Sequence, residues 1–222
     1  MSELSSTSRT TLTRLPERGS ADRGELLEVL RGALVAHVGI DVGDHPVVLP
    51  VAYAVDPDGP DADGTLYLHG SVAAGWLRRT PGATVCVTVT SLDGLVLARS
   101  AFHHSMNYRC AVVIGQARLV EDPEERGRAL DLIVDHVVPG RSRELRANTR
   151  KELAATAVVA VPLREASLKA RAGGVNDDRP DIEAGVWAGV MPLRTVAAPI
   201  ETDPEATGPI PEHVQRRAAD FV

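Results

Sequence analysis

What this chain has little of narrows its function first. Aromatic residues make up 3% of its 222 residues, namely two Trp, two Phe and three Tyr. A stacking platform for single-stranded nucleic acid needs more rings than that, so the core must be built from Val, Leu and Ala. Only two cysteines occur, Cys86 and Cys110. Both lie in apolar alternating stretches, which predicts two buried thiols and no disulfide framework. Positive charge is also short: 24 Lys and Arg against 30 Asp and Glu leave a net charge of −6, the opposite of a general nucleic-acid binder. No run approaches the roughly 18 apolar residues of a membrane span, and the Ser/Thr/Arg-rich N-terminus has no apolar signal core. The expectation is a cytoplasmic protein with neither nucleic acid nor membrane as partner.

Familiar catalytic devices are missing too. There is no G-x-G-x-x-G, no P-loop, no H-E-x-x-H and no G-x-S-x-G. His103 and His104 are adjacent, and neighbouring strand residues point to opposite faces, so they make a poor chelating pair. No metal site is expected.

What is present is alternation. Stretches at 33–40, 46–55, 65–69, 84–90, 94–101, 109–120, 157–163 and 166–172 read as strands, with Gly115 marking a bend. A helix is predicted after Ser20 or Asp22, with Leu26, Leu27, Leu30 and Leu34 at helical spacing. Another starts at Asp122-Pro123, and Thr149-Arg150-Lys151-Glu152 is a capping box. The pattern is mainly β with peripheral α: an antiparallel barrel in a single domain at 13–198, between a frayed arm at 1–12 and a tail at 199–222.

The chemistry gathers around 102–109, Phe-His-His-Ser-Met-Asn-Tyr-Arg, a polar knot between strands. Hydroxyls at Ser71, Thr88, Thr90, Ser105 and Tyr108, with Arg78, Arg79 and Arg109, suit a planar, phosphorylated ligand. Gly70-Ser71 ahead of a helical turn offers free backbone N–H groups. His69 reads equally as a proton donor to substrate or as a structural histidine bonded to backbone.

Taken in order, Thr13 to Gly19, Pro46 to Val51, Leu66-Tyr67-Leu68-His69-Gly70-Ser71, Phe102 to Arg109 and Val186-Trp187-Ala188-Gly189-Val190 resemble the pyridoxamine-5′-phosphate-oxidase-like flavin-nucleotide-binding proteins. The branch with nitroimidazole-resistance reductases is the nearest. The resemblance implies an FMN-binding split β-barrel, commonly a homodimer with flavin at the interface, acting as an oxidoreductase on a small-molecule substrate. It places Pro50, Val51, His69, Ser71, Arg78, Thr88, Thr90, Ser105, Tyr108, Arg109 and Trp187 around the cofactor, with His69 and His104 toward the substrate. Gly75 and Trp76 stand where relatives carry a basic residue, which passes the phosphate to Arg78 or Arg79. Met191-Pro192-Leu193 replaces the Arg/His grip of the vitamin B6 oxidases, so that activity is not expected. The alternative is a non-catalytic binder or sensor of FMN, haem or deazaflavin in the same cleft.

Overall fold

The structure is a computed structural model describing residues 3–5 and 7–221. Residues 1, 2 and 6 of the expected arm and residue 222 of the tail lie outside the described residues. In chain order the elements are β1 (Gly19–Ser20), α1 (Arg23–Gly32), β2 (Ala36–Asp41), β3 (Pro46–Val51), β4 (Tyr53–Asp56), β5 (Thr65–Ser71) and α2 (Gly75–Arg79). The chain continues through β6 (Thr84–Leu97), β7 (Ser105–Gln116), β8 (Arg118–Leu119), α3 (Pro123–Val137), α4 (Arg150–Ala155), β9 (Thr156–Pro162) and β10 (Ala166–Arg171). It ends with α5 (Arg179–Glu183), β11 (Gly189–Pro192) and α6 (Glu212–Ala219).

Every strand pairing is antiparallel. A larger sheet runs β1-β10-β7-β6-β2-β3, with β11 on β6, and a smaller one runs β4-β5-β9-β8. The chain passes from the large sheet to the small one twice, at Ala52 between β3 and β4 and at Ala117 between β7 and β8. This is the expected split β-barrel. Strict alternation in β6 turns Val85, Val87 and Val89 inward and leaves Thr84, Cys86, Thr88 and Thr90 on the outer face. The inward set packs with Leu66, Leu68, Val159 and Val161 of the small sheet, and Leu26 and Leu30 of α1 join the same core. A second apolar layer forms where Ala129 and Ile133 of α3 cover Tyr67, Val158 and Ala160 on the other face of the small sheet.

The helix signals act locally as read. Asp22, not Ser20, starts α1 by accepting from the N–H groups of Gly24 at 2.6 Å and Glu25 at 3.1 Å. Asp122 accepts from Glu125 N–H at 2.7 Å, and the reciprocal Thr149–Glu152 box opens α4.

Other expectations are corrected. The stretches read at 84–90 and 94–101 belong to one strand that ends at Leu97, and its register shift falls at Leu92/Gly94. Gly115 keeps register opposite Val85. Both glycines serve close approach. A Cβ on Gly94 would stand 3.0 Å from the Met191 carbonyl oxygen of β11, and one on Gly115 would stand 2.9 Å from Val161 Cγ1 of the small sheet. A Gly115→Val variant should therefore lose about 1–3 kcal/mol from overpacking, measured by chemical denaturation.

Strand β2 starts only at Ala36, and the chain before it is held at Ala33 by a polar junction. The Ala33 carbonyl accepts from Tyr53 Oη at 3.1 Å and from His136 Nε2 at 2.7 Å. The expected frayed arm packs, with Thr7 and Arg9 both hydrogen-bonded to the Glu165 carboxylate. The expected tail holds α6, whose Arg217 Nε donates to the Val137 carbonyl at 2.9 Å. Cys86 and Cys110 are half-buried free thiols, not fully buried ones, since their strand parity puts them on the outer face. Among the described residues no helix is long and apolar enough to cross a membrane.

Candidate functional site

His69 lies on β5 two residues after Tyr67, on the face of the small sheet that α3 covers. Past the end of that apolar layer the space opens into a cavity of about 750 Å³ between β5, α3 and the start of α4. Its walls are mixed: Leu130, Ile133, Val134, Leu145 and Leu153 form the apolar part, and Asp131, Ser142, Arg146, Asn148 and Glu152 the polar part. Arg146 grips Glu152 through two nitrogens at 2.8 and 2.6 Å. His69 Nδ1 is closed off from solvent with no hydrogen-bond partner, leaving Nε2 as the ring nitrogen available to a ligand. Burial lowers the imidazole pKa, so the ring is neutral at pH 7. The backbone-bonded structural histidine expected as one alternative is not what the structure shows.

A second group assembles on the outer face of the large sheet. His37 of β2 stands opposite Pro50 of β3 on one side and Thr88 of β6 on the other. It also borders a cavity of about 680 Å³ that reaches Thr90, Ser91 and Arg109. Arg109 is held by Asp93 through a two-pronged pair at 3.0 and 2.8 Å. The Asp93 hydrogen bonds raise the guanidinium pKa further. Thr90 Oγ1 donates to Cys110 Sγ at 3.5 Å.

The remaining expected residues divide between these places or stand apart. Ser71 ends β5, where its hydroxyl accepts from Ala73 N–H at 3.2 Å, and Arg78 is exposed on α2. Val51 is half-buried and packs against the barrel core, so it reaches a ligand on the outer face only through its backbone. Ser105 and Tyr108 lie within β7, opposite Val96 and Leu92. The polar knot is thus half strand. Its first part is a 3-10 turn, Ala101–His103, pinned by His104 Nδ1 donating to the Ser100 carbonyl at 2.9 Å. That bond gives His104 a structural role. Trp187 is 72% exposed and does not line the large-sheet cavity.

Several residues escaped the sequence reading. Arg146 lies in a segment with no periodic signal, and Arg194 and Arg217 belong to the stretch read as the end of the domain and its tail. His103 meets Asp178 and Asp181, their ligand atoms within 4.8 Å of one another, across a separation in sequence that no local pattern reveals.

Comparison with known proteins follows from this geometry. The chain matches the family described as pyridoxamine 5′-phosphate oxidase over residues 22–170. A search of curated proteins gives no match. Among solved structures, the flavocytochrome Anf3 from Azotobacter vinelandii is 33% identical, with a TM-score of 0.86 covering 95% of this chain and 96% of that one. The FAD and haem binding protein from Mycobacterium smegmatis is 38% identical, with a TM-score of 0.82 over 90% and 97% of the two chains. A proposed 5-nitroimidazole antibiotic resistance protein from Bacteroides thetaiotaomicron is 26% identical, with a TM-score of 0.54 over 68% and 85%. The first two likenesses run through 90% or more of the chain, whereas the third covers about two thirds of it. Barrel topology, the matched span and these relatives agree: the chain belongs to the pyridoxamine 5′-phosphate oxidase family.

Proposed function

We propose that this protein binds both a haem and a flavin and works as a redox protein, the haem in the cavity against His69. The observation that carries this reading is the neutral, half-buried His69 imidazole, unpartnered at Nδ1, facing a space of about 750 Å³ whose wall includes Leu130, Ile133, Val134, Leu145 and Leu153. A neutral imidazole is the form that ligates iron. The cavity lies within the usual size of cofactor sites, about 300–1,000 Å³. The flavocytochrome and the FAD and haem binding protein are similar to this chain over 90% or more of its length, which supports the same pairing here.

The flavin has its best seat on the outer face of the large sheet, along Pro50, Thr88 and Thr90, with Arg109 at the end of that row. Hydroxyls and backbone groups there would donate to the flavin ring and its ribityl chain. When bound, the two groups supply hydride and one-electron chemistry; the protein supplies position and electrostatics. The resemblance favours FMN, and the relative from Mycobacterium smegmatis binds FAD. Chromatography of the flavin released on denaturation separates the two. A homodimer and a small-molecule substrate belong to the same proposal. The exposed side chains of Val48, Met106 and Met191 on strands of the large sheet support the dimer.

The purified protein, given haemin and flavin, should show a Soret band together with flavin absorption. A flavin spectrum with no Soret band would remove haem and leave the flavin oxidoreductase. Absence of both would sink the whole reading.

A further inference from the structure

We infer that the cavity between the α1–β2 connection, the β6–β7 edge and the C-terminal segment seats the phosphate-bearing adenylate half of a flavin dinucleotide, held by Arg194 and Arg217. This rests on the flavin reading above and goes beyond it in naming the nucleotide and the residues that select it.

Three arginines border the cavity, and they are in different states. Arg109 is committed to Asp93 by two hydrogen bonds. Arg217 is nearly buried, its side chain 15% exposed. Its Nε donates to the Val137 carbonyl at 2.9 Å, its Nη1 faces Asp220 at 3.4 Å, and its plane lies 4.6 Å from the Phe221 ring centre. Its remaining nitrogen, Nη2, is shut off from solvent and has no acceptor. A charged donor left unmet is unfavourable, and a small rotation of the Arg217 side chain, which borders the cavity, would offer it to an anion seated there. Arg194 is exposed and has no hydrogen bond or ion pair among the described residues. Hydroxyls of Ser91 and Thr195 complete a donor set suited to phosphate oxygens.

Position argues for the adenylate half. His37 borders the cavity and also stands between Pro50 and Thr88, so the cavity continues the row proposed for the ring. A flavin on that row would extend its far phosphate and nucleoside into about 680 Å³ of space. FMN ends before it. Both arginines come from the C-terminal segment, which lies outside the span matched to the family at residues 22–170. Selection for the dinucleotide would thus be an addition to the barrel, not a property of it.

The test is titration of FAD and of FMN, followed by flavin fluorescence, into the haem-loaded wild type and the variants R194A, R217M and R194A/R217M. FAD affinity should fall at least about tenfold in the double variant, the loss of one charge-assisted contact or more, with FMN affinity unchanged. R194A alone, which breaks no internal contact, should weaken FAD severalfold, so a folding defect in the Arg217 variants does not shelter the idea. Unchanged FAD affinity would overturn the assignment. Equal losses for FAD and FMN would also overturn it, placing the phosphate common to both in the cavity. A wild type that binds neither flavin would instead refute the flavin reading beneath it.

Discussion

Replacing His69 with alanine should abolish the Soret band of the haem-loaded protein while leaving flavin binding in place. Among the described residues, the imidazole is the one side chain in the wall of its cavity with a strong iron-ligating nitrogen. Its removal should cost haem affinity on the order of a hundredfold or more, about 2.7 kcal/mol at the hundredfold limit. The effect should depend on pH in the wild type. Burial holds the imidazole pKa below its ordinary 6.5, so the ring stays neutral through the physiological range. A proton and iron compete for one lone pair. Haem affinity should therefore be flat above about pH 6.5 and decline only as pH falls through the lowered value. Absorbance titration with haemin across pH 4.5–8 (a range of about three and a half units around the imidazole value) reads both effects. A Soret band retained by H69A would remove His69 from the site.

The largest stability loss is expected one residue earlier. Leu68 is fully buried, on the opposite face of β5 from His69, and packs with the inward valines of β6. Leu68→Ala removes that packing where two sheets meet and cannot close together, so the cost should be about 2–5 kcal/mol. For a chain of this size the melting temperature should drop on the order of 10 °C. Because the His69 face of the strand is untouched, the folded variant should still take up haem. Differential scanning fluorimetry with and without haemin separates the two effects. A variant with wild-type stability would show that the two sheets do not share the core described.

The contrast between these neighbours states how much the sequence reveals. Alternation exposes Leu68 as a core residue, and the same parity argument picks out Val85, Val87 and Val89. It cannot say what covers the other face of β5. That depends on α3, which arrives more than fifty residues later and packs on Tyr67, then leaves room over His69. Strand parity, which is local, puts Thr88 and Thr90 on one face of β6; that Pro50 stands beside them across β2 is a matter of register between strands distant in sequence. A turn bond to Ser100 and inward packing engage His104 and Val51, side chains that composition alone leaves free.

By itself the sequence determined the antiparallel barrel, the helix starts at Asp122 and Thr149, a first helix opening at Ser20 or Asp22, and the family, because each depends on period, capping or residue order within a short span. Only the tertiary structure decided that the glycines at 94 and 115 serve close approach, that Arg217 returns from the chain end with an unmet donor, and that His69 faces a cavity. Those properties arise from contacts between segments far apart in sequence. Their geometry is set by how two sheets, α3 and the C-terminal segment fill space together, and no local pattern encodes it.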